Sequence, residues 1–266
     1  MNGRALPLCA RLPHPVDLPG LLQALVRIDG DAWQPHFNRG YYEGDWSGVA
    51  LVVAEDAPLP LAPGLGAPVR CGWWRGEAAW EGLLDSFQAG VRAARLLRLG
   101  PGAQIHEHCD PDLGQPDGCL RLHVPLLSPP GVEFLVEGLQ VPMQPGECWF
   151  VDLSRAHRVD NPTAQERIHL VLDCDPAPWL LALIQQGLVQ TPVLQQGKAE
   201  RAFAAFREHV LGDPMLAAHL QGLNDSRAFQ RESRRLGAQL GFEFTEAQVS
   251  AAMRRGRQAW NDQWRT

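Results

Sequence analysis

At 266 residues, 45% hydrophobic and 20% charged, the chain is long enough for one large domain, or for a domain with a small appendage, and its balance is that of a soluble globular protein. A formal charge of −6 argues against a dedicated nucleic-acid binder, which is usually basic. No apolar run approaches the ~20 residues that span a bilayer, and Arg4 is followed by prolines rather than by a signal segment, so no membrane partner and a cytoplasmic location are expected.

In chain order, residues 1–35 mix prolines with an amphipathic stretch from Leu18 to Val26, read as a strand and a short helix. The segment His36 to Gly48 is rich in aromatics and glycines and holds both tyrosines. It is read as a loop feeding a strand at Val49–Val53, either packed on the core or forming a wall of a substrate pocket. Residues 55–70, rich in proline and glycine, read as a long loop. Leu83, Leu84, Phe87 and Val91 recur at helical spacing and predict a helix from Trp80 to Ala94, followed by a strand at Ala94–Leu99 that Gly100-Pro101-Gly102 stops.

From there to Asp173 the pattern is short strands divided by turn residues, as in sandwiches and barrels. In Leu120–Leu126, Arg121 and His123 face away from Leu120, Leu122 and Val124. In Arg167–Asp173, Arg167, His169 and Val171 face away from Ile168, Leu170 and Leu172. Two strands with arginine and histidine opposite their leucines point to a polar cavity. Trp179–Val189 is a further helix, and the chain reads as helical from Lys198 onward. Residues 198–266 carry 11 Lys/Arg against 8 Asp/Glu, whereas the first 197 carry 13 against 22. That shift divides the chain into a domain over 1–190 and a small helical domain over 191–266.

The chemistry concentrates between Ile105 and Asp173. His108-x-Asp110, with His157 distant, has the form of the two-histidine, one-carboxylate set that holds Fe(II) and leaves three positions open. Strand alternation would bring positions i and i+2 to one ion. His106 could stand in for His108, and His36, His123 and His169 are further imidazoles with hydrogen-bonding roles open to them. Zinc is a rival, but a catalytic zinc gives no reason for Arg167. That guanidinium is a fork suited to the far carboxylate of 2-oxoglutarate. Arg121 and His123 could bind the carboxylate beside the keto group, or one on the substrate. The six cysteines form no CxxC pair and are read as reduced thiols; Cys109 sits between two ligand candidates but is not expected to ligate.

These residues resemble a known family. His36-Phe37-Asn38, Glu43-Gly44-Asp45-Trp46-Ser47-Gly48, Ile105-x-Glu107-His108-x-Asp110, Arg121-Leu122-His123-Val124-Pro125, Gly146-Glu147-x-Trp149, His157-x-Val159-x-Asn161 and Arg167-Ile168-His169-Leu170-Val171-x-Asp173 are similar to the aspartyl/asparaginyl β-hydroxylases, among the Fe(II)/2-oxoglutarate dioxygenases. The resemblance implies a mainly β, double-stranded β-helix (jelly-roll, cupin-like) core with flanking helices and an all-α C-terminal extension. It implies metal binding by His108, Asp110 and His157, 2-oxoglutarate binding by Arg167 with Arg121 and His123, and O2 as oxidant. Animal members that hydroxylate protein domains lack a carboxylate at the second ligand position. Asp110 therefore places the chain nearer the bacterial branch, which includes proline hydroxylases, and speaks against halogenation. The expected activity is hydroxylation of an unactivated C–H of an amino acid or of a residue in a peptide. The rival expectation is a non-catalytic jelly-roll module that binds a carboxylate or a peptide.

The tail, from Phe206-Arg207-Glu208-His209 through Asp213-Pro214 and Asn224-Asp225 to Leu240-Gly241-Phe242-Glu243-Phe244-Thr245, resembles the helical leader domains of nitrile-hydratase and nitrogen-fixation type. Asp213 and Asn224 or Asp225 are expected N-caps, Gly241 a C-cap and Thr245-x-x-Gln248 a capping box. Its expected role is a docking module for a peptide partner, a dimerisation element or a lid, or else it is a helical extension that simply packs on the barrel.

Overall fold

A computed structural model describes residues 6–110, 113 and 118–262, with side chains to residue 257; Arg4 and the last four residues of the tail lie outside these. The chain divides into two compact units, Met1–Val136 with Gln140–Leu194, and Glu137–Leu139 with Gln195–Thr266.

The first unit is built on strands β1 (Cys9–Leu12), β2 (Gln34–Pro35), β3 (Tyr42–Glu43), β4 (Trp46–Ala54), β5 (Pro68–Arg70), β6 (Val91–Leu99), β7 (Gln104–His108), β8 (Leu120–Leu127), β9 (Glu133–Val136), β10 (Leu139–Gln140), β11 (Cys148–Val151), β12 (His157–Asp160) and β13 (Arg167–Cys174). The larger antiparallel sheet runs β1-β11-β8-β13-β6-β4-β2, with β5 on the edge of β4; the smaller carries β9-β12-β7-β3 as neighbours. Two antiparallel sheets of this kind, with helices at one face, make the jelly-roll core that the family resemblance implied.

The alternation in β8 and β13 sorts side chains between two cores. Leu120, Leu122, Val124 and Leu126, with Ile168, Leu170 and Leu172, join Leu21 of α1 (Leu18–Val26), Trp80 and Leu84 of α2 (Ala78–Ser86), and Leu180 and Ile184 of α3 (Pro178–Gly187). Each buried leucine contributes about 1.5–3 kcal/mol, so this face fixes which side of the sheet the helices cover. The opposite faces enclose Trp46, Leu99, Ile105, Phe134, Trp149 and Val159 between the sheets. Arg121, His123, Arg167 and His169 project on that inner side.

One element differs from expectation. The helix begun near Trp80 ends at Ser86, and Val91–Leu99 is strand throughout. Ala89-Gly90 turns the chain there, where the Gly90 carbonyl accepts the Asp175 N–H at 2.8 Å. Pairing of β6 with both β13 and β4 then overrides the helical spacing.

In the second unit, α4 (Lys198–Gly212), α5 (Pro214–Gln221), α6 (Ser226–Gln239) and α7 (Glu246–Asp262) enclose Phe203, Phe206, Leu220, Leu236, Phe244 and Val249. The caps are those read in the sequence. Asp213 accepts the Met215 and Leu216 N–H groups, and Asp225 accepts that of Ala228. After α6 the Phe242 N–H reaches the Gly237 carbonyl and the Gly241 N–H that of Ala238, with Gly241 at φ +82°: a Schellman turn. Thr245 and Gln248 exchange side-chain-to-backbone bonds at 2.7 and 3.2 Å. Gly237 lies against the Phe244 ring, which occupies the space a Cβ would need. Gly237→Val is expected to destabilise this unit by about 1–3 kcal/mol through overpacking, seen as earlier loss of helical circular dichroism in urea. No described helix is long and apolar enough to cross a membrane.

Candidate metal centre

His108, Asp110 and His157 come together, their ligand atoms all within 4.8 Å of one another; they are the one such group among the described residues. The pairing of β7 with β12 explains the selection. His157 lies opposite His108, and Val159 opposite Ile105, so β7 carries an extra residue across this interval. The bulge re-aims His108 to the same side as Ile105. His106 falls outside that side, with its Nε2 3.3 Å from Glu43, and is not part of the group. Asp110 sits beyond the end of β7, held by its N–H on the Leu153 carbonyl at 2.8 Å. The bulge sets the side His108 faces, and the anchored loop brings Asp110, two residues on, into the same group.

Both histidines are pre-set for a metal. His108 Nδ1 donates to the His106 carbonyl at 2.7 Å and His157 Nδ1 to the Arg155 carbonyl at 2.9 Å, which leaves each Nε2 as the lone-pair nitrogen. Burial, with the neighbouring His108, lowers the His157 pKa to about 4, so that its ring is neutral at neutral pH. Two imidazoles and one carboxylate fit a divalent ion that keeps open positions. Cys109 is exposed and stands outside the group.

Arg167, at the start of β13, is 2% exposed. Its Nη2 donates to His169 Nδ1 at 2.6 Å and its guanidinium lies 5.6 Å from the Phe134 ring centre. No carboxylate pairs with it among the described residues, and its Nε has no hydrogen-bond partner. Burial pushes its pKa down to about 9. Because His169 accepts at Nδ1, its proton sits on Nε2, also buried without a partner. His123, in the Trp149–His123–Val171 row across three strands, has neither ring nitrogen satisfied. Buried unsatisfied polar groups are costly. Donors on Arg167 and His169, beside a free His123, form a cradle complementary to an anion. His169 was only one of several spare histidines in the sequence, and its role becomes visible through the Arg167 contact.

Arg121 stands differently. Its Nε and Nη2 fork onto Asp173 at 2.7 and 3.0 Å, and its Nη1 bonds Asp110 Oδ2 at 2.5 Å. Burial alone would disfavour the charge; Asp173, then Asp110, outweigh it and raise the pKa. Arg95 donates to the same Asp173 at 3.0 Å. The loop before β4 adds aromatic walls. Tyr41 lies 4.9 Å from the His108 ring, and His36 stacks on Trp46 at 3.5 Å while its Nδ1 accepts the Asn38 N–H. Burial, with Arg95 and Arg121, lowers the His36 pKa to about 4.

A 2OG-Fe(II) oxygenase family oxidoreductase from Burkholderia pseudomallei is similar at 17% identity over 60% of this chain and 78% of its own, with a TM-score of 0.39. A Pseudomonas putida prolyl-4-hydroxylase is similar at 14% identity over 60% and 86%, TM-score 0.37. A cupin 2 conserved barrel protein from Salinispora arenicola is similar at 16% identity over 37% and 71%, TM-score 0.24. No curated protein matches the chain. The aspartyl/asparaginyl beta-hydroxylase family model matches residues 80–176. That matched segment, over a third of the chain, holds His108, Asp110 and His157 together with Arg121, His123 and Arg167.

Proposed function

We propose that the chain is an Fe(II)/2-oxoglutarate-dependent dioxygenase that hydroxylates an unactivated C–H of an amino acid or of an amino-acid residue in a peptide. The observation that carries this reading is Arg167: a buried guanidinium without a carboxylate among the described residues, in the same barrel as a two-histidine, one-carboxylate group. A zinc centre by itself gives no reason for such a guanidinium, whereas the far carboxylate of 2-oxoglutarate does. When bound, Fe(II) supplies the redox chemistry by which O2 and 2-oxoglutarate give succinate, CO2 and one oxygen atom inserted into C–H.

The protein's share is positioning. His108, Asp110 and His157 would hold the ion, and a set of two imidazoles and one carboxylate leaves room on it for further ligands. Arg167 would take the far carboxylate of 2-oxoglutarate, with His169 fixing its guanidinium and His123 beside the His169 ring. Phe134, against the Arg167 guanidinium, and Trp149 would keep the Arg167 end dry, which strengthens a charge pair there. Tyr41 and Phe37, 41% and 42% exposed, offer an aromatic rim on the His108 side for the substrate. Anaerobic addition of 2-oxoglutarate to the Fe(II)-loaded protein should give the weak visible charge-transfer band of the chelate, and air should then yield succinate. Absence of both overturns the reading. A band without succinate, through a screen of amino acids and peptides, favours a binding module instead.

A further inference from the structure

We propose that Arg121 is a positioning residue for the metal, holding Asp110 so that a single carboxylate oxygen, Oδ1, is offered to the ion. The proposal rests on the iron-site reading above. Asp110 divides its two oxygens: Oδ1 lies 3.6 Å from His108 Nε2, on the ligand side, while Oδ2 lies 2.5 Å from Arg121 Nη1. Arg121 is not free to leave that contact. Its other two nitrogens are forked onto Asp173, directly opposite it in the β8/β13 register. Asp173 is in turn tied to Arg95 on β6. Two arginines and two aspartates cancel in charge, so this buried chain is self-sufficient, unlike Arg167.

The consequence concerns coordination number. A carboxylate can take one or two positions on a metal, and a facial set works only while three positions stay open. A charge-assisted bond at Oδ2 competes with a second metal contact and keeps Asp110 to one position. It also reassigns Arg121, which the sequence put among the co-substrate ligands. A guanidinium with Nε, Nη1 and Nη2 all engaged by protein carboxylates is not a spare fork. Arg167, His169 and His123, by contrast, each carry a buried atom without a partner.

The test compares the full-length protein with Arg121→Gln, Asp110→Gly and the double variant. Mn(II) affinity is read from the free-ion electron paramagnetic resonance signal, and 2-oxoglutarate affinity for the Mn(II)-loaded protein by calorimetry. Arg121→Gln is expected to weaken Mn(II) binding about 10–100-fold, the usual effect of losing a partner of a metal ligand. In the Asp110→Gly background the same change should alter it by about twofold or less, as for independent sites. Equal losses in both backgrounds would mean a general structural role and overturn the proposal. Unchanged Mn(II) affinity with weakened 2-oxoglutarate binding would return Arg121 to the co-substrate and overturn it too. If Arg121→Gln does not fold, Arg121→Lys carries the comparison: its ammonium keeps the charge without the fork, and an intermediate loss is expected. No Mn(II) uptake by the wild-type protein removes the iron-site reading and this proposal with it, whereas uptake with no Arg121 effect removes the proposal alone.

Discussion

Arg167→Leu is expected to weaken 2-oxoglutarate binding to the Mn(II)-loaded protein about 100-fold or more, and at the same time to raise the stability of the ligand-free protein. The first effect is the loss of one partner from a buried charge pair, which costs about 2–5 kcal/mol. The second follows from what Arg167 lacks among the described residues: a carboxylate. A buried charge without its counter-ion opposes folding, and apolar replacements of buried ions are neutral or stabilising by about 1–4 kcal/mol. The sign with pH is definite. The folded pKa, about 9, lies below the unfolded value. The penalty is therefore fully present below about 9 and eases as the pH rises beyond it. Thermal unfolding should show the wild-type protein gaining on the variant at high pH, and 2-oxoglutarate should raise the melting temperature of the wild type alone. A variant that binds 2-oxoglutarate normally would remove Arg167 from the site.

His157→Ala is the second large effect. A four-ligand zinc site is worth about 10–16 kcal/mol, roughly 3 kcal/mol for each ligand. Loss of one of three ligands should then weaken Mn(II) binding by roughly two to three orders of magnitude and end succinate formation at ordinary metal concentrations. The fold should survive, because the ring's protein hydrogen bond is the one to the Arg155 carbonyl at the strand entry. His106→Ala is the matched control. Its partner is Glu43 on the other side of β7, and metal affinity should not change. A His106 effect as large as that of His157 would contradict the bulge as the device that selects between His106 and His108.

The site was legible in the sequence wherever a single strand's pattern carries the information. Arginine and histidine opposite leucines in Leu120–Leu126 and Arg167–Asp173 announce an inward polar face, because alternation is a property of one strand. The caps of the helical tail were legible for the same reason, each being a contact within a few residues. What depends on register between strands was not. Nothing within β8 says that Arg121 stands opposite Asp173, and nothing within β7 shows the extra residue that turns His106 out and His108 in. Asp173 stood in the sequence as the last residue of a motif without a role, yet it ties Arg121 to Arg95. The overlong helix at Trp80–Ala94 is the same kind of miss: apolar spacing within the segment was real, but two neighbouring strands claimed its second half.

The face-sorting of β8 also constrains how this protein can vary over evolutionary time. Deletion of one residue within Leu120–Leu127 would exchange the two faces of the strand. Leu122 and Val124 would be carried into the anion cradle, and Arg121 and His123 into the leucine layer beneath the helices. Substitutions along β8 can be graded, one side chain at a time, but insertions and deletions there are all-or-nothing. Length changes in descendants of this chain should accordingly gather in turns such as 55–67, where Asp56 holds the Leu65 and Gly66 N–H groups at the surface, and be absent from the strands that carry His123 and Arg167.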